Sequence, residues 1–232
     1  MVYDQLQTSI TNQYSMYLSA LMGRYQAMRA AGVKPSPQVV ARMRADCLEF
    51  RETFCRSASQ EVARYATTLS EGASAPLVAS LISRTTNMVE FIRSATLENV
   101  NQVVQAAVTG VAGFREVLKG ARGAVGELVQ RDIGNIDFKV STESGAKWSA
   151  GTLMRFAVRD FAYQCRIDST VEELLDQGVT VVEAYRDDAG TLATLSLDGS
   201  GPGGLQTLAE VRSTLFHPNS TTLIRPAHVL PT

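Results

Sequence analysis

From Tyr3 to Ala31 the chain has one glycine and no proline, and its apolar positions recur three and four apart: Leu6, Ile10, Tyr14, Tyr17, Leu18, Leu21, Met22 and Tyr25. That period puts them on one face of an amphipathic helix. Gly32-Val33-Lys34-Pro35 stops it. Ser36-Pro37 then reads as an N-cap followed by proline at the first helical position, where the missing N–H would have had no partner in any case. A second helix is predicted from Pro37 to about Ser70, with Val40, Met43, Cys47, Phe50, Phe54, Ala58, Val62 and Tyr65 as its buried stripe. Glu71-Gly72-Ala73-Ser74 closes it, and Ser74-Ala75-Pro76 opens a third helix carrying Leu77, Leu81, Met88, Val89 and Ile92. The pattern leaves open whether that helix breaks near Thr96. Between Val100 and Val129 the period stays helical but small residues accumulate: Ala106, Ala107, Gly110, Gly113, Gly120, Gly123 and Gly126. Each interior glycine costs about 1 kcal/mol relative to alanine, so this many imply close helix packing, a kink or local flexibility.

Past this point the character changes. Ile133 to Gly145 reads as a linker with a short strand at Asp137–Val140. A helix beginning at Ser149 carries Leu153, Phe156, Ala157, Phe161, Cys165, Ile167, Val171, Leu174 and Leu175 and is capped by Gln177-Gly178. The period then becomes two. Thr180–Tyr185 and Thr191–Leu197 read as strands joined by the turn Arg186-Asp187-Asp188-Ala189-Gly190. A glycine-rich loop, a short helix over Leu205–Leu215, a His217-Pro218-Asn219 turn and a last strand at Thr221–Arg225, ended by Pro226, complete the chain. The expected class is α+β: a mainly α-helical N-terminal region, residues 1–135, followed by a small α+β module, residues 136–232, with a β-hairpin and a short C-terminal strand.

Charge sharpens that division. Overall 22 Lys and Arg face 23 Asp and Glu, a net charge of −1 that advertises neither a nucleic-acid nor a membrane partner. By halves, residues 1–135 carry net +3 and residues 136–232 net −4. The uncharged stretch from Asn99 to Phe114 is 16 residues long and contains four Asn and Gln, too short and too polar to span a bilayer. No membrane association is expected. The first residues lack the basic and apolar regions of a secretory signal. The 45% hydrophobic, 19% charged composition is that of a chain able to bury a core.

Candidate chemistry is sparse. Cys47, Cys55 and Cys165 form no CxxC pair, and two cysteines eight residues apart on one helix lie about 12 Å apart along its axis, beyond bonding reach. They read as buried thiols. His217 and His228 have no cysteine or carboxylate near enough in sequence to complete a zinc set, and no metal site or cofactor is expected. His217 is expected to hydrogen-bond locally in its turn. Asp187, Asp188 and Asp198 could crowd carboxylates at one end of the hairpin, but aspartate and glycine are also what a turn demands. Gly120–Gly126 lacks the spacing of a phosphate loop, and no GxSxG surrounds a serine. No enzymatic activity is expected. The N-terminal arginines, Arg24, Arg29, Arg42, Arg44, Arg51, Arg56 and Arg64, are interspersed with Glu49, Glu52 and Glu61. That favours solvated helix faces over a phosphate-binding patch, although contact with DNA is the alternative reading.

The most specific stretch is Thr207-Leu-Ala-Glu-Val-Arg-Ser-Thr-Leu-Phe-His-Pro-Asn219, followed by Leu223-Ile-Arg-Pro226. It resembles the C-terminal end of phage minor head proteins of the Mu F type, also described as minor capsid or head-morphogenesis proteins. There, a helix leads into a His-Pro-Asn-Cys-Arg-His turn and a short strand ending near a proline. Upstream, Trp148 to Gly178 is similar to the family's arginine-bearing helix, with Arg155 and Arg159 as its arginines, and Thr180 to Leu197 to the hairpin that follows. The resemblance covers about Lys147 to Ala227. This chain departs from it with Ser220-Thr221-Thr222 after Pro218-Asn219 and with no histidine or cysteine in the hairpin, leaving Arg155, Arg159, His217, Pro218 and Asn219 as the family-motif positions.

The resemblance implies a structural virion protein in a phage head, assembled in the host cytoplasm and placed at the portal or in the head interior. Its implied partners are the portal protein and the major capsid protein, with further copies of itself and packaged DNA as additional ones.

Overall fold

The computed structural model describes residues 2–30, 36–120, 138–141, 147–199, 204–217 and 220–227. Three long helices come first: α1 (Val2–Ala30), α2 (Pro37–Ser70) and α3 (Ala75–Gly120). The Ser36 hydroxyl accepts the Val39 N–H at 3.3 Å, as the N-cap expectation requires. Gly72, with φ of 77°, supplies the left-handed residue that ends α2. The open question at Thr96 is resolved in favour of continuity. The Thr96 hydroxyl folds back onto the Ile92 carbonyl one turn earlier, at 2.7 Å, and α3 runs on without interruption.

A two-stranded antiparallel ribbon follows, β1 (Lys139–Ser141) with β2 (Lys147–Ser149), paired in the register Val140 opposite Trp148. Only the first strand was legible in the sequence; β2 is too short to display a period. Helix α4 (Ala150–Asp176) closes with the Gly178 N–H on the Leu175 carbonyl and the Val179 N–H on the Leu174 carbonyl, a Schellman cap with Gly178 at φ 76°. Then come β3 (Val181–Arg186), β4 (Gly190–Ser196), the short helix α5 (Leu208–Leu215) and β5 (Leu223–Pro226). The three last strands form one antiparallel sheet in the order β4-β3-β5. Helix, small sheet and terminal strand together are the expected α+β class.

The described chain packs as two compact units, each discontinuous in sequence: Met1–Gln7, Val62–Met88 and Phe156–Thr232 in one, Thr8–Glu61 and Val89–Arg155 in the other. The junction expected between residues 135 and 136 lies outside the described residues. So do the glycine-rich stretch from residue 121 onward, most of the 133–145 linker, Pro218, Asn219 and His228.

In the first unit, the α+β unit, the sheet buries one face. Val182 and Ala184 of β3, Leu195 of β4 and Ile224 of β5 share it, as their cross-strand register demands, and meet Tyr163, Ile167 and Leu174 of α4 with Leu208, Val211 and Phe216. The second unit is helical apart from the β1-β2 ribbon. Its core is built from Ile10, Tyr14, Tyr17 and Leu21, from Met43, Cys47, Phe54 and Ala58, and from Ile92, Val100 and Val103. Tyr17 stacks on Phe54 with ring centroids 5.4 Å apart, and Tyr14 tilts against the same ring at 5.4 Å.

Candidate functional site

Helix α4 has two working faces in the α+β unit. Positions 159, 163, 166 and 170 recur at intervals of four, three and four, so Arg159, Tyr163, Arg166 and Thr170 form one stripe along it. That stripe is one wall of an open cleft of about 370 Å³. The opposite wall is Ser220, Thr221, Leu223 and Ile224, leading into and along β5, and the end is closed by Tyr185 and Asp187 of the hairpin.

The cleft is held from beneath. Tyr163 donates its phenol to the Thr222 carbonyl at 2.7 Å, and Gln164 donates its amide to the Phe216 carbonyl at 2.6 Å. Two adjacent residues of one helix thus grip both ends of the segment between α5 and β5. Ser220 knots that segment: its N–H donates to the His217 carbonyl at 2.7 Å and its hydroxyl to the Leu215 carbonyl at 2.6 Å. The same oxygen accepts the Thr222 N–H at 3.0 Å. Engaged in this way, the Ser220 hydroxyl anchors the segment. On the hairpin, Arg225 reaches across from β5 to Glu183 at 2.9 Å and lies over the Tyr185 ring, 4.5 Å from its centroid.

The neighbouring face of α4 carries a charged cluster around Asp168. This carboxylate accepts Arg84 Nε at 2.6 Å and the Ser80 hydroxyl at 2.7 Å, both from α3, and Arg212 from α5. Arg212 Nε also donates to the Gln164 side-chain oxygen at 2.8 Å. Burial alone would raise the Asp168 pKa. The Arg84 and Ser80 hydrogen bonds and the two guanidinium charges outweigh it and leave the carboxyl below its ordinary value. Asp160, one helical turn before Gln164, is shifted the other way, because burial penalises its charge more than Gln164, Arg84 and Arg212 favour it.

The expected motif residues separate. Arg159 is in the cleft wall. Arg155 is exposed one turn earlier on α4 and does not line the cleft. His217 is exposed, and its backbone carbonyl, accepting from Ser220, makes the local hydrogen bond of the turn. Pro218 and Asn219 lie outside the described residues. A scan against protein-family models finds no match for this chain, and searches of curated proteins and of solved structures find none either.

Sequence reasoning missed Arg166 and Tyr185. The signal for Arg166 was its seven-residue spacing from Arg159; Tyr185 gave none beyond its place in a strand. The three aspartates considered as a cluster are not one. Asp187 and Asp188 stand at the β3-β4 turn, where Arg186 meets Asp188 at 3.4 Å, while Asp198 follows the far end of β4 and accepts the Ser196 hydroxyl. Among the described residues, no group of three or more His, Cys, Asp or Glu is placed to hold a metal ion.

All three thiols are buried and free. Burial pushes Cys47 up to about 11 and Cys165 up to about 12, and raises Cys55 despite its contact with the Thr96 hydroxyl. A second concavity, of about 600 Å³, belongs to the helical unit and is lined by Pro37, Val40, Leu48, Val104 and Val108 together with Arg44. It offers shape without reactive groups. No helix among the described residues is long and apolar enough to cross a membrane.

Proposed function

We propose that this chain is a structural protein of a tailed-phage head, a minor capsid or head-morphogenesis component that associates with the portal and the major capsid protein and acts through contacts, not catalysis. One observation carries the reading. The elements that the family resemblance orders along the sequence, the arginine-bearing helix from Phe156 onward, a hairpin, a short helix, a histidine turn and a terminal strand, belong to one compact unit, while Arg155 falls in the other. Within the α+β unit Arg159 stands across a cleft from Ser220 and Thr221, at the exit of the His217 turn. A mechanism by contact also agrees with the engagement of Ser220 in backbone anchoring and with three thiols raised far above neutrality.

The test uses the full chain, because a 1–135 fragment would cut through both compact units. Tagged protein co-expressed with the portal and major capsid proteins of its own phage is expected to retain one or both, and mass spectrometry of purified heads is expected to find it. Retention of neither, together with absence from heads, rejects the reading. The DNA alternative is weakened by the pairing of Arg24 with Asp46 and of Arg51 with Glu52. It predicts duplex binding that falls steeply with salt, and flat behaviour would remove it.

A further inference from the structure

Apart from Arg64, exposed on α2, the arginines of the α+β unit divide into two kinds. Arg84, Arg186, Arg212 and Arg225 each meet a carboxylate. Arg159 and Arg166, the two that face the cleft, meet none among the described residues, although both stand in a unit whose sequence is rich in acid. They lie seven residues apart on α4, two turns and about 10 Å along its axis, and point the same way. Beside them the cleft offers apolar surface at Leu223 and at the ring of Tyr185, with the buried Ile167 and Ile224 behind, and polar surface at Thr170, Ser220 and Thr221. Two guanidinium groups with their hydrogen-bonding capacity unspent, set beside apolar surface, are built for a ligand that is anionic and greasy at once.

We infer that this cleft binds an acidic peptide segment of a partner protein, its carboxylates taken by Arg159 and Arg166 and an adjacent apolar side chain seated against Leu223 and the Tyr185 ring. Three observations favour peptide over nucleic acid. The apolar surface at Leu223 and Tyr185 matches aliphatic side chains. Asp187 on the rim repels a polyanion but leaves two arginines against one carboxylate, a surplus suited to a short acidic stretch. The surrounding sequence, residues 136–232, carries net −4, which opposes a long phosphate backbone more than a short acidic stretch. Carboxylates two or three residues apart on an extended chain span about 7 to 10 Å, commensurate with the arginine spacing. The site stands on the cleft alone and does not depend on the capsid reading.

Fluorescence anisotropy of the full chain with a labelled Glu-Leu-Glu-Leu-Glu-Leu peptide tests this directly. Saturable binding is expected, at least about tenfold tighter than to the same peptide with glutamine for glutamate, because charge-assisted hydrogen bonds are the strong ones. The Arg159→Gln/Arg166→Gln double variant should lose about tenfold or more while its thermal midpoint stays put, since neither side chain has a partner in the fold to lose. Asp187→Asn should tighten binding a few-fold. Arg166→Glu should weaken the acidic peptide and gain affinity for its lysine counterpart, which a misfolded variant would not do. Absence of saturable binding, equal affinity for the neutral peptide, or full binding by the double variant overturns the proposal. Tighter binding of a single-stranded oligonucleotide than of the peptide overturns it in favour of nucleic acid.

Discussion

The two compact units differ in whether charge joins their interior polar contacts. In the helical unit the deepest polar contacts are uncharged: the Tyr14 phenol donates to Asn99 Oδ1 at 2.5 Å, the Tyr17 phenol to the Thr96 carbonyl at 2.8 Å, and Cys55 meets the Thr96 hydroxyl at 3.3 Å. In the α+β unit the buried Tyr163 and Gln164 bonds to backbone carbonyls are joined by a part-buried ionic cluster, Asp168 with two arginines. A neutral network sets the register of helices without tying their stability to pH, and burial pushes the Tyr14 and Tyr17 phenols far above their ordinary range, so that they stay protonated. An ionic one joins three helical segments strongly and makes the junction sensitive to acid. The difference therefore predicts that the two units answer the same perturbation differently.

The largest expected effect tests the charged side. Asp168→Ala leaves Arg84 and Arg212 facing each other with no anion, and should cost about 3 kcal/mol in denaturant unfolding. A loss below 1 kcal/mol would show the cluster to be ornamental. Next in size is its neutral counterpart. Tyr14→Phe strips the partner from Asn99, whose Nδ2 is already buried without one, and should cost about 1 to 3 kcal/mol. Adding Asn99→Leu should recover part of the loss, since the unsatisfied amide then goes too.

The pH dependence sharpens the comparison further. Because Asp168 titrates lower in the folded chain than in the unfolded, its contribution is present above the ordinary aspartate value, near pH 4, and is lost as pH falls below it. Asp160 has the opposite sign: raised in the folded chain, it costs stability at neutral pH and is relieved as pH falls through its folded value. Hydrogen exchange followed from pH 7 to 3 should show amides of α4, α5 and β5 losing protection before those near Tyr14 and Phe54, and Asp168→Asn should flatten that gap. Uniform loss would erase the distinction between the units. The smallest effect is local. Thr207 caps α5, accepting the Glu210 N–H while Glu210 returns the bond to the Thr207 N–H at 2.7 Å, and Thr207→Ala should cost about 1 kcal/mol, seen as a lower thermal midpoint with the helical unit untouched.

What could be read from the sequence follows the range of the physics. The starts of α2 and α3, the ends at Gly72 and Gly178, and the hairpin turn closing on Gly190 are set by residues within four or five positions of one another, and they were legible. The single-turn ribbon strand β2 was not, since three residues carry no period. Nor was the division into units. It rests on Asp168 meeting Arg84, and on Tyr14 meeting Asn99, across more than eighty positions. Within the candidate site, Arg159 was singled out only through the family resemblance, as one of two arginines on its helix. That Arg166 and not Arg155 shares its cleft is decided by where β5 and the hairpin lie against α4, which no local pattern encodes.

The interleaving of the two units has a consequence for how the chain is made. Synthesis proceeds from the N-terminal side, and every segment of the helical unit has been translated once Arg155 emerges. The α+β unit must wait for β5, whose last residue is Pro226. Until then Val62–Met88, with Arg84 and Ser80 ready, hangs from two finished helices with its aspartate partner still unmade or newly exposed. Nascent-chain truncations ending after residue 155 should therefore hold the helical unit's thiols, Cys47 and Cys55, shielded from alkylation well before Cys165 acquires the same protection.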